Sequence, residues 1–119
     1  MTLPDQPPVL GHHWILDLQG CPESLLDNED GLRERLADVT ARFGFTLLTI
    51  ASHRFSPQGV TAIGLLAESH LSIHTWPEYG FAAVDVMTCG SPEHLEAACE
   101  HLFEVLQAES KSILRLRRG

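Results

Sequence analysis

The sequence predicts an α+β fold, a two-layer sandwich in which an antiparallel sheet carries two helices on one face. Six short apolar runs alternate with turn signals, and two longer stretches repeat apolar residues at helical spacing. The four central runs follow one another too closely for the crossovers that parallel strands need. The predicted order is therefore β-α-β-β-β-β-α-β, with both helices in one layer.

The first half of the chain supplies a strand, a helix and two more strands. Residues 10–18 predict the first strand, which ends at a Gly-Cys-Pro turn. Asn28 is suited to cap a helix that Gly44 stops. The apolar side chains of that helix recur at helical spacing: Leu32, Leu36, Val39 and Phe43. Residues 45–50 and 60–67 then predict two strands separated by a proline and glycine turn.

The second half of the chain supplies two strands, a helix and a final strand. Residues 71–75 and 81–87 predict two strands, joined by a turn that Gly80 makes possible. Residues 91–92 are a serine and a proline, suited to the N-cap and first position of a second helix. The apolar face of this helix contains Leu95, Ala98, Leu102 and Leu106. Residues 113–117 predict the last strand.

Length and charge limit the organisation and the partners. With 119 residues, 44% of them hydrophobic, the chain predicts one domain over residues 1–119, in which residues 1–9 are a loose arm. A net charge of −8 repels nucleic acid and anionic bilayers and suits a cationic ligand. The basic side chains near the C-terminus are expected to be solvated surface: Lys111, Arg115, Arg117 and Arg118.

The sequence also indicates a compartment. There is no secretory leader pattern and no apolar stretch of about 18 residues, so we expect a soluble, cytoplasmic protein. The three cysteines, Cys21, Cys89 and Cys99, are odd in number and lack zinc-ligand spacing. They are predicted to be free thiols in a reducing compartment.

Reactive side chains concentrate in residues 67–90, which read AESHLSIHTWPEYGFAAVDVMTCG. They offer a hydroxyl nucleophile, an imidazole that can move protons near neutral pH, and a thiol. No hydrolase triad is visible, because the serine lacks a GxSxG elbow and neither Asp17 nor Asp85 is related by spacing to a histidine.

Two features of this segment leave alternatives open. A cysteine hydrolase that uses Cys89 and His74 is a minor candidate. Ser69 and His74 lie on opposite faces of a regular strand, so a bulge or turn would be needed to bring them together.

Histidines raise the question of a metal site. His12 and His13 are adjacent, His53 lies nearby in sequence, and His70 and His74 are four residues apart. On a strand that spacing separates the last two by about 13 Å, too far to share one ion without a bend. We therefore expect surface or core histidines that are hydrogen-bonded to the backbone, and no metal.

The same segment closely resembles the short prokaryotic S-adenosylmethionine decarboxylases, which share the ESHLSIHTWPEYGFAAVDVMTCG pattern almost letter for letter. The resemblance continues upstream through SHRFSPQGVTAIGLLAES and weakly to GHHWILDLQGC, so it covers roughly residues 10–107. It implies a cytoplasmic homodimeric enzyme that makes the aminopropyl donor for spermidine synthesis.

The resemblance implies that the enzyme matures by cutting itself. The serine after the glutamate attacks the preceding carbonyl, and here these residues are Ser69 and Glu68. Cleavage would give a β chain of residues 1–68 and an α chain of residues 69–119 that starts with a pyruvoyl group. This group is the only cofactor implied. It forms a Schiff base with the substrate amine and takes up the electrons left when carbon dioxide departs.

Further roles carry over by position in the motif. His74 matches the processing histidine, and Thr61 stands where some relatives have a hydroxyl residue that assists processing. Cys89 matches the proton donor of the decarboxylation. Phe55 matches an aromatic that stacks on adenine, and Glu78 matches a carboxylate that binds the ribose hydroxyls.

Some positions depart from the family pattern. Ser52 replaces a common phenylalanine, Gln19 replaces a frequent tyrosine, and the tail reads SILRLRRG. Trp76 and Tyr79 are expected to be packing residues. The departures keep two alternatives open: a pyruvoyl-dependent ornithine or arginine decarboxylase, and an uncleaved nucleoside-binding partner subunit.

Overall fold

The computed structural model describes residues 9–119, and its elements follow the predicted order with two short additions. The strands are β1 (Gly11–Gln19), β2 (Leu47–Arg54), β3 (Val60–Leu66), β4 (Ser69–Trp76), β5 (Phe81–Thr88) and β6 (Ser110–Arg118). The helices are α1 (Glu23–Leu26), α2 (Glu29–Arg42) and α3 (Pro92–Val105). The additions are the single-turn α1 and a 3-10 turn at Pro77–Tyr79. Residues 1–8, most of the predicted arm, lie outside the described residues.

All six strands form one sheet in the order β2-β3-β4-β5-β1-β6, and every pairing is antiparallel. The predicted α+β sandwich is therefore confirmed. Three strands extend two or more residues beyond their predicted limits, since β2 continues to Arg54, β4 starts at Ser69 and β6 starts at Ser110. The apolar pattern misses these polar ends because backbone pairing with neighbouring strands, rather than side-chain burial, extends them.

The ends of the two long helices follow the local chemistry. The Asn28 side chain accepts a hydrogen bond from the Gly31 backbone N–H at 3.0 Å, which satisfies a free donor of the first turn of α2. Ser91 is the N-cap residue of α3, as predicted, but its hydroxyl donates to Glu93 Oε2 at 2.5 Å instead of binding the backbone. Pro92 occupies the first helical position.

The hydrophobic core lies between the sheet and the helices. Alternate residues of β5 are buried, and the apolar stripes of α2 and α3 pack over them. Fully buried side chains from both layers include Leu16, Leu36, Ile73, Leu95 and Leu102. Burying each such side chain stabilises the fold by roughly 1.5–3 kcal/mol.

The other side of the sheet is not covered by a helix within residues 9–119, and we call it the open face. Its apolar residues are exposed in the single chain, with Ile63 at 45%, Leu65 at 51% and Leu114 at 56%. These side chains lie on β3 and on β6, at two separate parts of the face, and together they indicate a surface that can be buried by another molecule. No helix in the described part is long and apolar enough to cross a membrane.

The basic C-terminal side chains make contacts that the sequence did not indicate. Arg115 lies over the Trp14 ring at 4.5 Å and bonds to Glu96, and Lys111 bonds to Glu100 at 2.5 Å. These contacts form because β6 pairs with β1 beside α3. Both ion pairs lie at the protein surface, where the Arg115 side chain is half exposed, so these residues are surface groups as expected and each also has a carboxylate partner.

Candidate active site

The predicted cleavage point lies in the tight turn between β3 and β4. Leu66 and Ser69 are paired, so Ala67 and Glu68 form the two-residue turn. Thr46 holds this turn from the side: its N–H donates to Glu68 Oε1 at 2.9 Å, and its carbonyl accepts from the Ala67 N–H at 2.9 Å. The bond between Glu68 and Ser69 is therefore anchored on its N-terminal side.

The carbonyl of Glu68 has a hydrogen-bond donor of its own. The Cys89 backbone N–H donates to it at 3.2 Å, because Ser69 pairs with Thr88 and Cys89 is the next residue after β5. A donor here polarises the carbonyl and stabilises negative charge that develops on its oxygen. The pairing also places the exposed Cys89 beside the bond between Glu68 and Ser69.

Ser69 has an unusual backbone conformation, with φ at +150°. Residues with a side chain rarely adopt this region, and such a conformation costs of the order of 1–3 kcal/mol. The pairing on both sides of β4 holds it in place. The strain therefore lies at the predicted nucleophile, next to the bond that it would break.

The other predicted residues meet at the opposite end of β4. The His74 ring accepts or donates a hydrogen bond at Nδ1, 2.9 Å from the Thr61 hydroxyl oxygen, across the β3–β4 pair. Both residues line a cavity of about 350 Å³ together with Phe55 and Glu78. Glu78 Oε2 accepts a hydrogen bond from Gln58 at 3.0 Å on the rim of the same cavity.

One chain thus carries two half-sites. We call Glu68, Ser69 and Cys89 the cleavage half-site, and Phe55, Thr61, His74 and Glu78 the binding half-site. Ser69 and His74 are five positions apart along the strand, or about 16 Å. The pairing of β4 with β5 runs without a register shift, so the bulge considered for this strand is absent. The structure does not bring Ser69 and His74 together within one chain.

A cluster of polar side chains that the sequence did not indicate occupies the open face next to Ser69. His13 Nε2 and His70 Nε2 each lie 2.8 Å from Asp85 Oδ2, and Ser72 donates to Asp85 Oδ1. We call these four residues the Asp85 cluster. The His70 ring continues to Ser69, whose Oγ lies 3.5 Å from His70 Nδ1.

The Asp85 carboxylate stays ionised in this cluster. Burial is the largest influence and raises its pKa, but the hydrogen bonds from Ser72, His70 and His13 together outweigh burial and lower the pKa below the ordinary value. The nitrogen to oxygen distances of 2.8 Å are hydrogen-bond lengths. His13, His70 and Asp85 also have three potential metal-ligand atoms within 4.8 Å of one another, a grouping that the sequence analysis did not predict.

Sequence reasoning missed this cluster because its members are far apart in the chain. Asp85 was not singled out as a partner of any histidine, yet it lies opposite Ser72 and beside His13 and His70 across neighbouring strands. The alternation of side chains along strands could have indicated the cluster, because polar residues at alternate positions in three adjacent strands share one face. Tyr79 is a further correction, since it is 79% exposed and not packed, whereas Trp76 contacts Phe81.

Comparison with known proteins identifies the family of the chain. The model of the family described as S-adenosylmethionine decarboxylase matches residues 12–119. The chain belongs to this family. A relative from Synechococcus sp. (strain WH7803), named S-adenosylmethionine decarboxylase proenzyme, is 51% identical over 105 residues, which are 88% of this chain and 82% of the relative.

Family members of lower sequence identity also match over most of their length. A relative of the same name from Methanococcus aeolicus is 46% identical over 110 residues, covering 92% of this chain and 94% of its own length. The crystal structure of the adenosylmethionine decarboxylase from Aquifex aeolicus superposes with a TM-score of 0.89 at 35% identity, over 95% of this chain and 93% of that one. The family fold therefore extends over nearly the whole chain.

Proposed function

We propose that this chain cuts its own backbone between Glu68 and Ser69 and then decarboxylates S-adenosylmethionine as a carboxy-lyase. Family membership supports the activity, and the relatives named above are described as proenzymes. The observation that carries the cleavage is the hydrogen bond from the Cys89 N–H to the Glu68 carbonyl, beside the strained Ser69. The products are a β chain of residues 1–68 and an α chain of residues 69–119.

Cleavage converts an amide into an ester before the chain parts. The Ser69 hydroxyl attacks the Glu68 carbonyl carbon, and charge develops on the oxygen that Cys89 already faces. The Thr46 contacts hold the Glu68 side still, while the strained backbone on the Ser69 side is released when the carbon to nitrogen bond breaks. Elimination and hydrolysis then leave a pyruvoyl group at residue 69.

The pyruvoyl group supplies a carbonyl that binds the substrate amine and accepts the electron pair left by carbon dioxide. The strained, two-sided pairing of Ser69 fits a residue that becomes a chain end fixed in the sheet. The exposed Cys89 thiol lies on that side of the site and donates the proton that the substrate carbon then needs. Phe55 offers an aromatic face to the adenine and the sulfonium cation, and Glu78 accepts from the ribose hydroxyls.

Two half-sites at opposite ends of one strand support a homodimer. A two-fold axis across the open face brings the cleavage half-site of one chain to the binding half-site of its partner, and does so twice. The exposed apolar side chains of that face, Ile63, Leu65 and Leu114, would be buried by the same contact. The dimer thereby completes both active sites and covers the open face.

Mass analysis and an activity assay test the proposed function. The purified protein is expected to consist of two fragments that separate before residue 69, whereas Ser69→Ala stays whole. The cut protein should release carbon dioxide from S-adenosylmethionine and not from ornithine or arginine. Release from either amino acid alone would exclude the proposed substrate, and a wild-type chain that stays whole would exclude the enzyme.

Complementation tests the shared site. Ser69→Ala and His74→Gln are each expected to remain uncut when expressed alone. Co-expressed with distinguishable tags, the mixed dimer has one complete site, made from Ser69 of one chain and His74 of the other. The His74→Gln chain should then be cut while the Ser69→Ala chain stays whole. No cutting in the mixed dimer would show that one chain needs both of its own residues.

The alternatives are less well supported. The relatives reported above carry the S-adenosylmethionine decarboxylase name, which favours neither an ornithine or arginine decarboxylase nor an uncut binding subunit. The hydrolase candidate pairs Cys89 with His74, which lie in different half-sites of one chain, and the family and the relatives carry the name of a decarboxylase and not of a hydrolase. Cytoplasmic location stays a prediction, in keeping with three free thiols at Cys21, Cys89 and Cys99.

A further inference from the structure

We propose that His70 is the base that removes the proton of the Ser69 hydroxyl when this serine attacks the Glu68 carbonyl, and that Asp85 positions it. The inference rests on the proposed self-cleavage and names the residue that starts it. Ser69 needs such a partner, because a serine hydroxyl is a weak nucleophile until a neighbouring base accepts its proton. His70 Nδ1, at 3.5 Å from Ser69 Oγ, is within reach.

The hydrogen bonds decide which ring nitrogen of His70 is free to act. An ionised carboxylate only accepts, so the bond of 2.8 Å between His70 Nε2 and Asp85 Oδ2 requires the proton to be on Nε2. In the neutral ring Nδ1 is then unprotonated and faces the Ser69 hydroxyl. Asp85 therefore selects the tautomer that can accept a proton from the serine.

The other members of the Asp85 cluster hold the carboxylate in position to accept the hydrogen bond from His70. His13 Nε2 shares Asp85 Oδ2, while its Nδ1 lies 3.0 Å from Arg118 Nη1 and must accept from that guanidinium. His13 is thereby a second donor to the carboxylate. Ser72 bonds to the remaining oxygen. The cluster leaves Asp85 charged and oriented, so that the carboxylate holds the His70 ring in a fixed orientation toward Ser69.

The step is balanced in atoms and charge. The Ser69 proton moves to His70 Nδ1 as the bond from Oγ to the Glu68 carbonyl carbon forms. The Cys89 N–H faces the oxygen that becomes negative. When the bond from that carbon to the Ser69 nitrogen breaks, the proton on His70 passes to the departing nitrogen. An ester and a free amine result, and His70 returns to its starting state.

The predicted processing histidine does not compete for this step within the same chain. His74 lies about 16 Å along β4 from Ser69, in the binding half-site, so it reaches the serine only from a partner. The two histidines are therefore assigned to successive steps, with ester formation served by His70 and the later elimination by His74.

Hydroxylamine separates these steps, since at neutral pH it cleaves esters much faster than amides. We would follow the uncut chain by intact mass in the wild type, His70→Gln, Asp85→Asn and His74→Gln, with and without hydroxylamine. His70→Gln should slow cleavage by about a hundredfold or more and leave an uncut chain that resists hydroxylamine. His74→Gln should accumulate a chain that hydroxylamine splits.

Two controls separate chemistry from folding. His94→Gln replaces an exposed histidine of α3 outside the Asp85 cluster and should cut at the wild-type rate. Thermal unfolding should show that His70→Gln keeps its fold. Asp85→Asn provides a second test, and its self-cleavage should be slower than that of the wild type by about tenfold or more. The double variant should be no slower than His70→Gln alone, because Asp85 acts through that ring.

Each remaining outcome overturns the inference. A wild type that cuts while folded His70→Gln cuts equally fast would remove His70 from the reaction but leave the proposed function intact. Hydroxylamine splitting of the His70→Gln chain would place the residue after ester formation. Cleavage that stops with EDTA and resumes with zinc would make the cluster a metal site. A wild type that never cuts would overturn both proposals.

Discussion

The two faces of the sheet are built from the same strands but differ in almost every physical respect. Toward the helices, β4 presents Leu71, Ile73 and Thr75, all buried. Toward the open face it presents His70 and His74, which are hydrogen-bonded to other side chains and partly accessible. One face therefore stabilises the fold, and the other holds the groups that the proposed chemistry requires.

The contrast between the two faces shows how a small domain can hold strained and polar groups. Residues that alternate along one strand are separated by the sheet itself, so the covered face can be fully apolar without limiting the other. As a result, a single chain leaves its open face uncovered. The following predictions test whether the covered face controls stability and the open face controls association and chemistry, and all stability measurements use the uncut Ser69→Ala background.

The largest expected effect comes from the covered face. Ile73 is 0% exposed and lies at the centre of the core. Ile73→Ala should lower the free energy of unfolding by about 2–5 kcal/mol, because it removes buried methyl groups and leaves a cavity. Urea unfolding followed by circular dichroism measures this. A loss below about 1 kcal/mol would show that the covered face contributes less than its burial implies.

The next effect is expected from Asp85, which accepts hydrogen bonds on the open face. Its pKa is lowered in the fold, so the charged form stabilises the fold above about pH 4, and this contribution is lost as the pH falls through the lowered pKa. Asp85→Asn should cost about 1–2 kcal/mol at pH 7, and the difference should shrink in acid. Urea unfolding at pH 7, 5 and 3 tests this, and an equal difference at every pH would contradict it.

A charge on the open face should affect association more than folding. Ile63 is 45% exposed in the single chain, and the proposed dimer buries it. Ile63→Asp should raise the dimer dissociation constant about tenfold or more, since an unpaired carboxylate would have to leave water. Sedimentation measures this, with Ala37→Asp on the exposed side of α2 as the control. Equal dissociation constants for both variants would exclude the open face as the interface.

The smallest expected effect is a difference in reactivity among the three thiols, with no change in the fold. Burial raises the pKa of Cys99 to about 12, and Cys21 is also buried with a raised pKa, whereas Cys89 is exposed. Iodoacetamide at neutral pH should therefore modify Cys89 first, with no change in thermal unfolding. Peptide mass analysis identifies the site. Preferential modification of Cys99 would mean that the covered face opens readily.

The sequence predicted the covered face better than the open one. Apolar periodicity placed α2, α3 and the strands, since burial on one side leaves a regular pattern. It missed the polar start of β4 and the Asp85 cluster, because hydrogen bonds between His13, His70 and Asp85 depend on strand order, which periodicity does not contain. The motif resemblance supplied Ser69, His74 and Cys89, but not their separation into two half-sites.

The place of β1 in the sheet has a consequence for the cut protein. β1 belongs to the fragment that ends at residue 68, yet it lies between β5 and β6, which belong to the other fragment. Neither fragment can complete a sheet alone, so cutting leaves them interlocked. The uncut chain can refold by itself at any dilution, but the cut one must first find its other half. We therefore expect recovery from denaturant to become dependent on protein concentration once maturation is complete.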